Sequence, residues 1–275
     1  ANTKKYVYVH HAIMSMHMVY RPGAFDHFDS LLCVGKHHVE EAKAAETVYG
    51  LKRRELVEHG SSRLDVLLKS GGSVVPRTAK SDVHVLIAPS WGDHALLETC
   101  GEELVDVMIK AGFQVTVRPH PMTMRHRTPL IRDLELRFGK TGSFKIDRDT
   151  GSESSMLASN LLITDWSGIA LEYAFALARP IVFIELPMKV NNPDYQRIEL
   201  EPLELKLRPE IGIRVPTDQL GGLPDRITAL INDSGNNASR LQDLRNQWIF
   251  NVGKSATVRA DYIAKLADQQ VNESK

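Results

Sequence analysis

Residues 161–184 read LLITDWSGIALEYAFALARPIVFI, and this stretch decides the fold. Leu161 to Thr164 is an apolar run with the length of a buried strand, and Asp165 to Gly168 is a turn. Gly168 to Ala178 reads as an almost wholly apolar helix, and Ile181 to Ile184 as a second apolar strand. Strands that are apolar at every position need cover on both faces, as in a parallel sheet between layers of helices. Strand, helix and strand in succession imply a right-handed crossover in an α/β domain.

Working outward, the same alternation continues. Val83 to Ala88 is another apolar strand, followed by a helix over Ala95 to Ala111. In that helix Leu97, Cys100, Leu104, Val105 and Met108 fall on one stripe, and Gly112 marks its end. Phe113 to Val117 is a strand running into Arg118-Pro119-His120-Pro121, a stiff turn between two prolines. Leu130 to Phe138 and Ser154 to Ser159 read as short helices, and Phe144 to Ile146 as a minor strand. Leu186 to Pro216 is rich in proline and charge and reads as a long excursion, with helices over Thr217 to Leu230, Leu241 to Phe250 and Ser255 to Leu266. Before residue 70, strands at Tyr6 to His10, Ser30 to Val34 and Glu55 to Glu58 alternate with helices at Lys36 to Tyr49 and Arg63 to Lys69. Gly71, Gly72 and Pro76 break the pattern and mark a linker.

The chain has 275 residues, enough for two domains, and 43% hydrophobic residues, which excludes disorder as its main state. Lys plus Arg equals Asp plus Glu at 34 each, so no net charge favours a nucleic-acid partner. No apolar stretch is long enough to span a membrane. The N-terminus lacks the layout of a signal peptide and runs at once into a strand, so we expect a chain cut from something longer. Cys33 and Cys100 lie in apolar segments and read as buried free thiols, and no metal-ligand spacing is present.

The turn at 165–168 is the best candidate for a ligand site. The first turn of a helix carries unpaired N–H groups, and with the helix dipole they favour a phosphate. Ser167 adds a hydroxyl, and Gly168 lets a phosphate approach without a Cβ in the way. The plain alternative is that Ser167 caps its own helix and Gly168 eases the turn. Glu172, one turn on, could accept ligand hydroxyls or pair with Arg179. Arg118 and His120 end a strand and could neutralise phosphate charge. His10 and His11 end a strand in the first domain, and facing His120 they would bracket a cleft. His37 and His38 are expected to be solvated at a helix start, and Met14, Met16 and Met18 to line a core or cleft.

The chain resembles the glycerophosphotransferases that use CDP-glycerol to build or prime teichoic-acid-like polymers. VYVHHAIMSMHMVY (7–20) is similar to that family's strand-to-histidine segment, with His11 the better match to the family's catalytic histidine and His10 its rival; the family's Trp and Gly are absent. FDSLLCVGKHHVEEA (28–42) and VEHGSSRLDVLL (57–68) resemble the following segments of the first domain. VLIAPSWGD (85–93) resembles a strand end in which Gly92 replaces the usual basic residue, bringing Ser90 and Trp91 into consideration. RPHP points to His120 as the second family histidine. The segment from Ser159 resembles the donor-phosphate segment, with Trp166 at the usual Tyr, Gly168 at the second Ser and Glu172 near the usual Asp. NVGKSATVRADYI (251–263) resembles the closing segment.

The resemblance implies a GT-B-like architecture of two Rossmann-like α/β domains with parallel sheets, the N-terminal one truncated. The domains would be residues 1–75 on the acceptor side, 76–252 holding the nucleotide donor, and a C-terminal helix, 253–275, packing back on the first. It implies transfer of glycerol phosphate from CDP-glycerol, or a related nucleotide-linked donor, to a polyol-phosphate or glycan acceptor that can be lipid-linked. His11 and His120 would be catalytic, and Arg118, Thr164, Asp165, Ser167, Gly168 and Glu172 would bind the donor. No cofactor is required, no protein-bound metal is expected, and a weakly held Mg²⁺ on the diphosphate is compatible with this chemistry. The place of work would be cytoplasmic, at the inner face of the membrane. A glycosyltransferase, a nucleotide-sugar epimerase or an inactive binding protein on the same fold are the alternatives.

Overall fold

Nine strands are described in the computed structural model, which covers residues 4–71, 83–149 and 151–273. The strands are β1 Val7–Val9, β2 Ser30–Cys33, β3 Glu55–Glu58, β4 His84–Ile87, β5 Gln114–Val117, β6 Phe144–Ile146, β7 Leu161–Thr164, β8 Ile181–Glu185 and β9 Ile213–Pro216. The helices are α1 Met16–Val19, α2 Lys36–Tyr49, α3 Ser62–Ser70, α4 Leu96–Lys110, α5 Pro121–His126, α6 Thr128–Phe138, α7 Ser154–Ala158, α8 Ile169–Leu177, α9 Leu203–Ile211, α10 Leu223–Asn232, α11 Ser234–Trp248 and α12 Ser255–Glu273.

Two compact units result. The first holds the chain up to residue 69 with 189–206 and 243 onwards, and the second holds 70–188 and 207–242. The expectation had placed 189–206 and 243–252 with the second domain; here they belong to the first unit. Of the segment read as a linker, Gly72 and Pro76 lie outside the described residues.

In the first unit β1, β2 and β3 form a parallel sheet in that order. In the second, six parallel strands run in the order β6-β5-β4-β7-β8-β9. That is the doubly wound order, in which direction reverses between β4 and β7, and ligands in such sheets sit beyond the carboxyl ends of the strands at that reversal. The centre of the sheet is mostly apolar. Val85, Ile87, Val115, Val117, Leu161, Ile163, Val182 and Ile184 join one core with Leu97, Leu104, Val105 and Met108 of α4. Leu86, Leu162 and Phe183 are equally buried on the opposite face. α4 stops as expected, with Gly112 at φ +90° donating its amide to Ile109.

Two expectations need correction. The Leu186 to Pro216 excursion contains α9 and the edge strand β9. Both are short and charged, and Pro209 inside α9 hides its helical character from pattern reading. The Arg118–Pro121 turn is also more than a stiff loop, because Pro121 opens α5 with His120 as its N-cap. Both cysteines are free and buried, as expected; burial pushes the thiols up to about 12 at Cys33 and about 11 at Cys100, so neither is a ready nucleophile.

Candidate functional site: three helix starts at the sheet reversal

Three helices of the second unit begin just after a central strand: α4 after β4, α5 after β5 and α8 after β7. Each start carries orphan N–H donors, and what meets them decides where an anion can bind. Protein groups meet the first two. The Asp165 carboxylate, 1% exposed, accepts from the Leu96 amide at 3.0 Å, from the Ser90 amide at 2.6 Å and from the Ser90 hydroxyl at 3.0 Å. It therefore caps α4 from the neighbouring strand and pins the 88–95 loop. At α5, His120 Nδ1 accepts from the Met122 amide at 3.1 Å.

The start of α8 is different. Its N-cap is Gly168, and no side chain caps it. Ala170 donates to the Ser167 carbonyl, while the Ser167 hydroxyl and the Ser167 and Gly168 amides have no hydrogen-bond partner among the described residues. Ser167 is thus not a capping side chain. Both residues are only half-buried.

A buried cation supports this turn. Arg208, which sequence reading missed, donates to the Asp165 carbonyl at 2.6 Å. Its guanidinium lies 3.9 Å from the Trp166 ring centroid and 4.2 Å from that of Phe183. Burial lowers it to about 10, and Asp165 acts the other way. The only signal in the sequence was a lone arginine before Pro209 in a charged segment. Trp166 itself donates through Nε1 to the Leu186 carbonyl at 2.9 Å, so it serves as a platform for Arg208.

Several expected donor contacts are instead used by the fold. Thr164 is fully buried and donates to the Ala88 carbonyl at 2.7 Å, tying β7 to β4. Asp165 and Ser90 satisfy each other. Arg118 is buried at the end of β5, with Nη1 3.5 Å from Ser155 Oγ. Glu172 lies half-buried in the first turn of α8. Arg179 does not need Glu172, because its Nη1 donates to the carbonyls of Met156, Leu157 and Ser159 at the end of α7. His120 stacks on Trp91 with centroids 5.9 Å apart and planes at 29°. Since Nδ1 accepts from Met122, the proton of the neutral ring sits on Nε2, making His120 a hydrogen-bond donor at that atom.

In the first unit the two strand-end histidines separate. His11 is exposed. His10 is 2% exposed and lies among Tyr8, Tyr20, Phe25 and His38, with ring centroids 4.4–6.2 Å away. Burial first, then the neighbouring histidines, holds His10 far below the usual imidazole range, so it stays neutral. His37 and His38, expected to be solvated, are 4% and 0% exposed, and burial lowers both. The histidine-rich stretch is thus largely internal.

Among the described residues no group of three or more His, Cys, Asp and Glu is placed to hold a metal ion. No described helix is long and apolar enough to cross a membrane.

Comparison with known proteins adds the following. Residues 2–190 match the model of the CDP-Glycerol:Poly(glycerophosphate) glycerophosphotransferase family. No curated protein matches the sequence. Among solved structures, the wall teichoic acid polymerase TagF is similar at a TM-score of 0.59 and 18% identity, over 98% of this chain and 69% of that one. A histidine-to-asparagine variant of TagF soaked with CDPG is similar at 0.58 and 17%, over 100% and 69%. A Listeria monocytogenes protein provisionally assigned as a UDP-N-acetylglucosamine 2-epimerase reaches 0.50 and 12%, over 88% and 61%. These likenesses show the GT-B-like fold of two Rossmann-like units.

Proposed function

The chain belongs to the CDP-glycerol:poly(glycerophosphate) glycerophosphotransferase family, and from that membership we propose that it transfers glycerol phosphate from CDP-glycerol to a hydroxyl of a teichoic-acid-like acceptor. The observation that carries the reading is the start of α8 at Ser167 and Gly168, beside the reversal point of a doubly wound sheet. Of the three helix starts after β4, β5 and β7, it is the one that no described side chain meets. A diphosphate is the ligand whose charge suits those amides.

The acceptor oxygen attacks the β-phosphorus, an O–P bond forms, and the bond to the CMP oxygen breaks. The acceptor proton passes to His11, the exposed imidazole at the end of β1. Imidazole is the side chain suited to this transfer near neutral pH. The Ser167 and Gly168 amides, the Ser167 hydroxyl and the Nε2–H of His120 stabilise the charge gathering on the leaving CMP. Arg208 adds positive potential from below through its hold on the Asp165 carbonyl. Most of the catalysis is positioning and electrostatics. Any Mg²⁺ would arrive with the donor diphosphate. The variant of TagF chosen for soaking with CDPG loses a histidine, which suits a catalytic imidazole in this fold. Teichoic acceptors are lipid-linked, so we place the reaction in the cytoplasm at the inner membrane face.

The test is CMP release from CDP-, UDP- and GDP-linked donors. CDP-glycerol is expected to be preferred, with His11→Ala lowering turnover about 10²–10⁴-fold. Preference for a UDP-sugar would turn the reading to a glycosyltransferase or epimerase, and no turnover of any donor to a binding protein.

A further inference from the structure

One face of α2 carries three buried ionisable side chains, His37, His38 and Glu41, which are 4%, 0% and 2% exposed. Apolar residues would fill those positions at less cost, since each polar group must find a partner or lose its solvation. All three find partners in the same place, the backbone that follows His11. His37 Nε2 lies 2.7 Å from the Ile13 carbonyl. His38 Nε2 lies 2.9 Å from the Met14 carbonyl, while its Nδ1 accepts from the Val34 amide at the end of β2. Glu41 Oε2 accepts from the amides of Met16 at 2.5 Å and His17 at 3.3 Å. On the other side of His11, the caged ring of His10 packs 4.4 Å from that of His38.

Residues 13–15 have no regular structure and α1 begins at Met16, yet side chains from one face of α2 hold the polar backbone atoms from Ile13 to His17. His11 is the exposed residue between two anchored points, the His10 ring and the Ile13 and Met14 carbonyls. We propose that His37, His38 and Glu41 are positioning residues that fix His11, with His38 the key clip because it joins the loop to β2. This rests on the reading of His11 as the base.

The two hydrogen bonds of His38 can be separated. In His38→Gln the amide nitrogen stands near the Nε2 position and can donate to Met14, whereas His38→Asn is too short to reach it but can still accept from Val34. His38→Asn is expected to lower kcat for CMP release from CDP-glycerol about tenfold or more with donor KM within about twofold, and His38→Gln to recover most of it. A role confined to stability would lower both alike, and equal losses, or no loss in either, would overturn the proposal. The imidazole NMR signals of His11 give a readout that needs no donor. They should stay a single sharp set in His38→Gln and broaden or split in His38→Asn, and unchanged signals in the Asn variant would overturn the proposal as well. Should either His38 variant fail to fold, the corresponding pair at His37, read through the Ile13 carbonyl, replaces it with the same expected contrast. His11→Ala, measured alongside, separates the two ideas. If it keeps full turnover the base assignment fails; if it loses turnover while His38→Asn does not, only the positioning fails.

Discussion

Two loops follow the end of a parallel strand and lead into a helix, one after β1 and one after β7, and they treat the same backbone groups in opposite ways. At residues 15–17 the amides are saturated by protein: Ser15 donates to Glu204 at 3.0 Å and Met16 and His17 donate to Glu41. At residues 167 and 168 no described group meets them. A helix start whose donors already hold carboxylates has little left for a phosphate, and one whose donors meet no protein group can offer them to it. The same element is structural in one place and, on the proposed reading, a ligand site in the other, and only the partners differ.

The comparison can be broken at several points. The largest effect is expected at Asp165, which holds the 88–95 loop and the α4 start next to the open turn. Asp165→Ala orphans the Ser90 and Leu96 amides and removes the acid whose charge acts most strongly on Arg208, costing about 3–5 kcal/mol in urea unfolding. A loss under about 1 kcal/mol would show that the carboxylate does not hold the site together. Next comes Ser167→Ala, which leaves the fold intact and weakens CDP-glycerol binding about tenfold in calorimetry, equivalent to about 1.4 kcal/mol. An unaltered Kd would remove the open turn from the donor site.

A smaller effect concerns pH in the filled loop. Burial works against a charge on His17, but the hydrogen bond and charge of Glu41, the Leu200 carbonyl and the charge of Glu204 outweigh it and raise the imidazole above 6.5. A raised folded value means stability that is fully present below about 6.5 and lost as pH rises through the folded value. His17→Asn should therefore lower the urea midpoint more at pH 5.5 than at pH 8.5. Burial, partly offset by the Ser15 hydrogen bonds, raises Glu204, whose contribution is likewise lost as pH rises above the usual carboxylate range. A His17→Asn effect equal at both pH values would mean that the pair carries no charge. The smallest effect is at Thr164, where Val removes one buried hydrogen bond to Ala88 for about 1 kcal/mol and leaves donor affinity unchanged.

Much of this was legible in the residues. β4, β7 and β8 announce themselves by near-continuous apolar runs, β5 and β6 more weakly, and Gly112 marks the end of α4. β9 and α9 stay hidden because a short edge strand and a charged helix containing proline bury too little to leave a pattern. Ser167 and Gly168 stood out because a turn between a buried strand and an apolar helix carries amides that the helix itself does not pair.

Sequence by itself determined the alternation of strands and helices, the parallel sheet and the position of the turn proposed to hold the donor, because burial periodicity and helix termini are local properties of the chain. Only tertiary structure decided which polar residues are spent on the fold. Thr164, Asp165, Ser90 and His10 looked as available as Ser167 and His11, yet they are internal. Whether a side chain keeps its hydrogen-bonding capacity for a ligand depends on what lies across from it, and Asp165 meets Ser90 from 75 residues away. Adjacency in sequence carries no record of such a partner.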